Sequence, residues 1–325
     1  MINEISREET SVVYGIDDKK VTAVKRYILS TPETRAICND PLVMGYEYTT
    51  KLQKACSTFL RLMKGPAALE LDENRSVVFN ILRGGLNFGL RGALAQAFGW
   101  NNHSSSFVTA QRARVTESPE LWHITEDEYQ KISFPERAQI ILGDVVATGT
   151  SLKHGLDIMI KEAVKQGTEL SSILFFTIGG QMSEERLIEA DKACRKHFPN
   201  FEGTHVCYIE GRFFVPTTET DVAIKITGTD LMRCNSLMAP EFIKSNLESP
   251  SYPLERCTIY DAGSRAFQIE EYRDDVIEYW KGVLKLSKTM TFEEMLSQRF
   301  PELDATKFGN VSLEDVAKKQ LEKLS

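Results

Sequence analysis

The sequence predicts an α/β protein with a mainly parallel sheet and helices on both of its faces. Three observations predict it. Short runs rich in β-branched and aromatic residues recur, as SVVFNIL at 76–82, AQIILGDVV at 138–146, SSILFFTIGG at 171–180 and THVCYIEGRFF at 204–214. Between them lie segments with apolar residues three or four apart, the spacing of amphipathic helices. The runs themselves do not alternate apolar with polar, which is the habit of strands covered on both faces.

Composition narrows the class. A chain of 325 residues can bury a large core in one big domain or two. Hydrophobic content of 42% and charged content of 26% are those of a soluble globular protein. The formal net charge of −7 and the lack of any basic run exclude a nucleic-acid footprint. Six scattered cysteines without a C-x-x-C pair read as free thiols in a reducing compartment. The N-terminus lacks the apolar stretch of a signal peptide, and no window approaches a membrane span. A cytoplasmic protein with no membrane partner is expected.

In chain order, residues 20–69 read as mostly helical. VKRYILSTPETRAICND (24–40) and the stretch from Tyr48 to Met63 carry apolar residues at helical spacing, and Gly65-Pro66 is a stop. Residues 1–70 are thus expected as a helical segment concerned with packing and oligomer contacts. SVVFNIL is a strand, RGGLNFG a turn and GLRGALAQAFG a helix. HSSSFVTAQRARV is a strand ending in a basic pair, and the polar stretch from Thr116 to Glu136 reads as a loop. Two more strand–helix units follow, the second ending in THVCYIEGRFF. Residues 216–258, with four prolines, read as loop-like, and 270–325 as two or three polar helices forming an accessory cap or dimer element.

The most informative stretch is AQIILGDVVATGTS. Ile140, Ile141 and Leu142 run into the lone acid Asp144, and Val145-Val146 leads to Ala147-Thr148-Gly149-Thr150-Ser151. Leu152, Leu156, Met159, Ala163 and Val164 then mark a helix with Gly167 as its stop. Such a turn aims backbone N–H groups and hydroxyls at one spot at a helix N-terminus, where the dipole favours an anion. A phosphate suits that place, and Asp144 is positioned to accept hydrogen bonds from sugar hydroxyls. No Gly-Lys-Ser/Thr occurs at P-loop spacing.

This segment resembles the phosphoribosyl-pyrophosphate (PRPP) signature of type I phosphoribosyltransferases. It departs from it at Gly143, where most members carry a first acid. ILRGGLNFG (81–89) adds an arginine and two glycines between strand and helix, a pyrophosphate site in chemical terms. It is similar to the pyrophosphate loop of uracil phosphoribosyltransferases. The resemblance assigns Arg83, Gly84 and Gly85 to that loop, and a basic residue of QRAR to the flap over the pyrophosphate. Arg112 is taken as that residue, with Arg114 the alternative. TIYDAGSRAF (258–267) resembles the base-recognition segment of the same family, departing at Tyr260 and Ser264. It places Tyr260, Asp261 and Ala262 at the base, with Asp261 also facing the ribose of PRPP.

The resemblance implies a type I phosphoribosyltransferase-like core at 71–269, including a base-binding hood at about 216–267, followed by a helical extension at 270–325. It implies transfer of the phosphoribosyl group of PRPP to a nucleobase nitrogen, uracil first, with release of pyrophosphate. Ala147, Thr148, Gly149, Thr150 and Ser151 would seat the 5-phosphate and Asp144 a ribose hydroxyl. Arg83 and Arg112 would stabilise the leaving group, together with Mg2+ held by the substrate rather than by a protein metal site. A homodimer is the family's habit. Two alternatives stay open: a different acceptor, or a non-catalytic PRPP- or nucleotide-sensing protein on the same fold.

Overall fold

The computed structural model describes residues 1–17, 23–64, 70–82, 84–115, 118–126, 128–256 and 269–325, excepting the side chains of 111–123 and 125–126. The chain opens with strands β1 (Ile2–Glu8) and β2 (Ser11–Ile16), a hairpin closed by Glu9 and Thr10. Glu9 sits at φ 51°, the positive φ that two-residue hairpin turns require. β3 (Val24–Ser30) is followed by α1 (Pro32–Asn39) and α2 (Gly45–Leu62). Thr31 and Thr34 form a reciprocal capping box at the start of α1, with Pro32 in the first turn.

β4 (Ser76–Leu82), a 3-10 turn (Gly84–Phe88), α3 (Leu90–Phe98) and β5 (Ser104–Thr109) come next. β6 (Gln111–Val115), β7 (Ser118–Glu126) and β8 (Gln130–Lys131) lead to β9 (Arg137–Val146) and α4 (Thr150–Gln166). β10 (Glu169–Gly180), α5 (Gln181–His197) and β11 (Gly203–Phe214) continue the alternation. β12 (Met232–Met238) and α6 (Pro240–Ser245) precede α7 (Ile269–Leu286), α8 (Phe292–Arg299) and α9 (Leu313–Leu324).

The main sheet runs β1-β2-β3-β11-β10-β9-β4-β5-β8, with β12 also on β11. From β3 to β5 every neighbouring pair is parallel. The pairs β1/β2, β2/β3, β5/β8 and β11/β12 are antiparallel. The sheet is therefore mixed, and the expectation of a mainly parallel one holds for its middle alone. The hairpin turn at Glu9-Thr10 reverses the chain at one margin, and β12 takes up β11 beyond Ile209, where β3 stops.

Two further expectations are corrected. Residues 1–70 are not a helical segment, because β1, β2 and β3 all join the sheet. VKRYILS is buried at all but one position, held between β2 and β11. Seven residues are too few for apolar spacing to separate a buried strand from a helix. The polar stretch after QRAR is likewise no loop, since β7 pairs antiparallel with β6.

Side-chain alternation puts helices on both faces. Phe59 of α2 meets Phe176 of β10 edge to face at 5.3 Å, and α3 lies beside α2. On the other face a Cβ on Gly155 of α4 would come within 2.6 Å of Ile81 Cδ1 of β4, and α5 lies beside α4. The sheet thus supplies one floor to α2 and α3 and another to α4 and α5.

The C-terminal helices bury more than their weak apolar faces suggested. Trp280 of α7 is fully buried and donates to Glu255 Oε1 at 3.0 Å. Arg233 and Arg299 both donate to the carbonyl of Glu255, at 2.7 and 3.1 Å. Arg256 Nε bonds Asp230 Oδ1 at 2.9 Å. These buried, charge-assisted bonds tie the 216–256 stretch to α7 and α8. Cys38, Cys56, Cys194, Cys207 and Cys234 are buried; Cys257 lies outside the described residues. Among the described residues no helix is long and apolar enough to cross a membrane.

Candidate functional site

β4 and β9 are neighbours, yet the chain leaves them in opposite directions, from β4 to β5 on one side and from β9 to β10 on the other. Such a switch point is where a parallel α/β sheet opens a crevice outside the carboxyl ends of its strands. Pairing across it is confined to Ser76–Val78 with Gln139–Ile141, although β4 runs on to Leu82 and β9 to Val146. The 3-10 turn after β4 tucks into the opening. A Cβ on Gly85 would meet Gly143 O at 3.2 Å and Asn80 Cα at 3.5 Å, so any side chain there would push the turn outward by a few tenths of an ångström. The two motifs read from the sequence, some 60 residues apart, meet here backbone to backbone.

The signature turn closes the other side. Gly149 is the N-cap of α4 at φ 75°, ψ 9°, a left-handed conformation, and no side chain caps the helix. The first-turn N–H groups of α4 therefore point to the end of the helix without a side-chain acceptor of that kind. Thr148 and Thr150 bring their hydroxyl oxygens within 3.4 Å of each other, and Ala147 is buried beneath them. Ser151 departs from expectation in one respect. Its hydroxyl donates to Ala110 O at 3.1 Å, which commits its proton and leaves its backbone N–H as the donor to an anion. That bond ties the turn to the residue just before β6, and β6 and β7 both approach α4.

Asp144, two residues before the end of β9, is half-buried, its Oδ1 accepting from Val145 N at 2.9 Å. It stands in register with Thr177 of β10, whose buried hydroxyl has no partner among the described residues. Gly84 and Gly85 are buried in the 3-10 turn. Arg83 lies outside the described residues, as do Tyr260, Asp261 and Ala262. Arg112 and Arg114 are described only in their backbone, which pairs within the β6/β7 hairpin opposite Ile124 and Trp122.

Sequence reasoning missed two neighbours of the site. Phe88 is fully buried, and a Cβ on Gly143 would lie 2.5 Å from its Cγ. The ring stands where a first acid would be. Arg186 of α5 lies against Gly149, its Cγ 3.1 Å from where a Cβ would stand. Neither residue carries a local signal, because each meets the site only through packing of a separate element.

Comparison with known proteins adds little. No family model matches the chain, and no curated protein does. Among solved structures it is similar to a hypoxanthine-guanine phosphoribosyltransferase from Bacillus anthracis, with 14% identity over 42% of this chain and 68% of that one at a TM-score of 0.26. It is also similar to a hypoxanthine phosphoribosyltransferase mutant from Trypanosoma cruzi complexed with IMP, with 15% identity over 62% of this chain and 91% of that one, TM-score 0.26. The same enzyme in a ternary substrate complex gives 11% identity and a TM-score of 0.25. Overlaps this slight carry no argument, and the site stands on its own geometry.

One buried acid at the same edge of the sheet is set apart from these motifs. Glu210 near the end of β11 is fully buried at φ 61°, and Thr34 bonds its Oε1 while Oε2 has no partner among the described residues. Burial pushes its carboxyl from 4.5 up to about 8. The folded state then holds a proton that the unfolded chain has lost, so stability falls as pH rises from about 4.5 to about 8. Glu255, pushed up to about 7 by burial, adds a slope of the same sign. Glu210→Gln is expected to flatten the urea-unfolding free energy across this window by up to about 1.4 kcal/mol per pH unit. An unchanged slope would show that Glu210 does not hold the proton.

Proposed function

We propose that the chain is a phosphoribosyltransferase that binds PRPP at the crevice between β4 and β9 and transfers its phosphoribosyl group to a nucleobase nitrogen. The observation that carries this reading is the switch point itself. It sets an uncapped helix N-terminus bearing Thr148, Gly149 and Thr150 beside a glycine turn packed against Gly143. The 5-phosphate sits on the α4 turn, taking N–H groups of 149–151 and the hydroxyls of Thr148 and Thr150. Asp144 holds a ribose hydroxyl. Gly84 and Gly85 let the pyrophosphate approach the backbone, and Arg83 and Arg112 neutralise its growing charge. Attack at C1 of the ribose breaks the bond to pyrophosphate through an oxocarbenium-like state, so positioning and charge stabilisation carry the rate.

Among the described residues no group of three or more His, Cys, Asp or Glu side chains could hold a metal. The Asp144 carboxylate near the end of β9 suits a Mg2+ ion carried by the oxygens of PRPP and by water, which it would reach through the ribose hydroxyls. When bound, Mg2+ offsets part of the charge of the diphosphate. The resemblance assigns the hood over the base to 216–267, with Tyr260, Asp261 and Ala262 as its recognition segment. Uracil is the acceptor to which that segment points. The active species is a homodimer.

A second reading has one observation in its favour. Phe88 fills the place of the first acid, which suits a protein that binds PRPP or a nucleotide without turning it over.

Pyrophosphate release from PRPP and Mg2+ over a panel of bases, uracil and hypoxanthine among them, tests both. Release with uracil is the expected result, and release with another base alone would overturn the acceptor. Binding of PRPP without release would favour the sensing reading. Thr148→Ala is expected to weaken PRPP binding about tenfold or more, through loss of a charge-assisted hydrogen bond. Calorimetry reads this directly, and undiminished affinity would remove the turn from the phosphate site.

A further inference from the structure

Arg186 lies in the second turn of α5 and in no motif of the sequence. Its stem packs against the signature turn, with Cγ 3.1 Å and Nε 3.6 Å from where a Cβ on Gly149 would stand. Its Nε–H is buried and has no acceptor among the described residues. Nη1 donates to Glu189 Oε1 at 2.8 Å, but Glu189 is 52% exposed, and ion pairs of that kind contribute little. A buried guanidinium N–H without an acceptor is costly, and such groups ask for an explanation. The surroundings supply one. α4 and α5 lie side by side, so Arg186 borders the same helix N-terminus whose N–H groups face outward without a side-chain cap.

We propose that Arg186 is a phosphate-binding residue of this site, its guanidinium donating to the phosphate monoester seated on the 148–151 turn. The inference rests on the reading of that turn as the seat of the 5-phosphate. It adds a full positive charge to a subsite otherwise built from backbone N–H groups and hydroxyls, and an arginine fork suits a phosphate better than a point charge does. It also gives the turn a reason for glycine at 149 beyond backbone conformation, since a side chain there would displace the Arg186 stem.

The test is calorimetric titration of the full chain with ribose 5-phosphate and, separately, with inorganic pyrophosphate and Mg2+. Ribose 5-phosphate carries only the monoester end, and pyrophosphate only the other. Arg186→Ala is expected to bind ribose 5-phosphate about tenfold to a hundredfold more weakly and pyrophosphate as before. Arg186→Lys is expected to recover part of the loss, and Glu189→Gln to bind at least as tightly as the unaltered chain. Should Arg186→Ala unfold, Arg186→Gln takes its place.

Equal affinity of Arg186→Ala and the unaltered chain for ribose 5-phosphate would overturn the role of Arg186 and leave the turn intact as a phosphate seat. Equal loss of both ligands would also overturn it, showing a general collapse of the site. If the unaltered chain bound no ribose 5-phosphate, the turn itself would be misread, and the proposal would fall with it.

Discussion

Gly149→Val is expected to weaken PRPP binding somewhat over a hundredfold while the protein still folds. Gly149 holds φ 75° at the head of α4. A β-branched residue in that left-handed region costs roughly 1–2 kcal/mol in strain, which a large core can absorb. The binding site cannot absorb it. Relief of the strain turns the peptide units of 148–150 away from their common focus, and a Cβ at 149 would meet Arg186 Cγ at 3.1 Å. Losing two charge-assisted hydrogen bonds amounts to about 3 kcal/mol, or somewhat over a hundredfold in affinity. Calorimetry with PRPP, paired with thermal unfolding of the same sample, separates the two effects. Retained affinity would place the phosphate elsewhere.

Gly143→Asp, which puts an acid where the resembled family carries its first, is expected to destabilise the protein rather than improve it. The new Cβ would lie 2.5, 2.7 and 2.9 Å from three ring carbons of Phe88, a residue with no exposed surface. Overpacking costs about 1–3 kcal/mol, and a carboxylate buried without a partner adds a comparable amount. A loss of about 3–5 kcal/mol in urea unfolding is therefore expected. The clash is specific to one ring, so Gly143→Asp with Phe88→Ala should cost about 1–3 kcal/mol less than the sum of the single changes. Strict additivity in that cycle would show that Phe88 is not what excludes a side chain at 143. The two predictions concern different things: under the proposed function Gly149 serves the ligand, whereas Gly143 serves the packing of Phe88.

Much of the site was legible along the chain because its chemistry is local. Strand, acid, TGTS turn and helix occupy consecutive residues from Arg137 to Gln166, and each signal acts within a turn or two. The same holds for ILRGGLNFG, where strand, glycine turn and helix follow in order. Reading failed where the outcome depended on distant partners. VKRYILS became a strand because β11, about 180 residues later, offers it an edge. The stretch after QRAR became a hairpin because β6 pairs with it, which polarity alone does not reveal.

The sequence by itself determined that this protein alternates strands with helices, that a turn of hydroxyl residues and glycine follows Asp144, and that a glycine turn follows the strand at 76–82. Those are matters of side-chain period and backbone conformation, settled among neighbours in the chain. Only the tertiary structure decided that β4 and β9 lie side by side at a switch point, that Phe88 takes the room beside Gly143, and that Arg186 borders the turn. Each of these depends on which strand edges meet and which side chains fill the space between packed layers. That choice is made by burial and close packing over the whole molecule, and no short stretch of sequence records it.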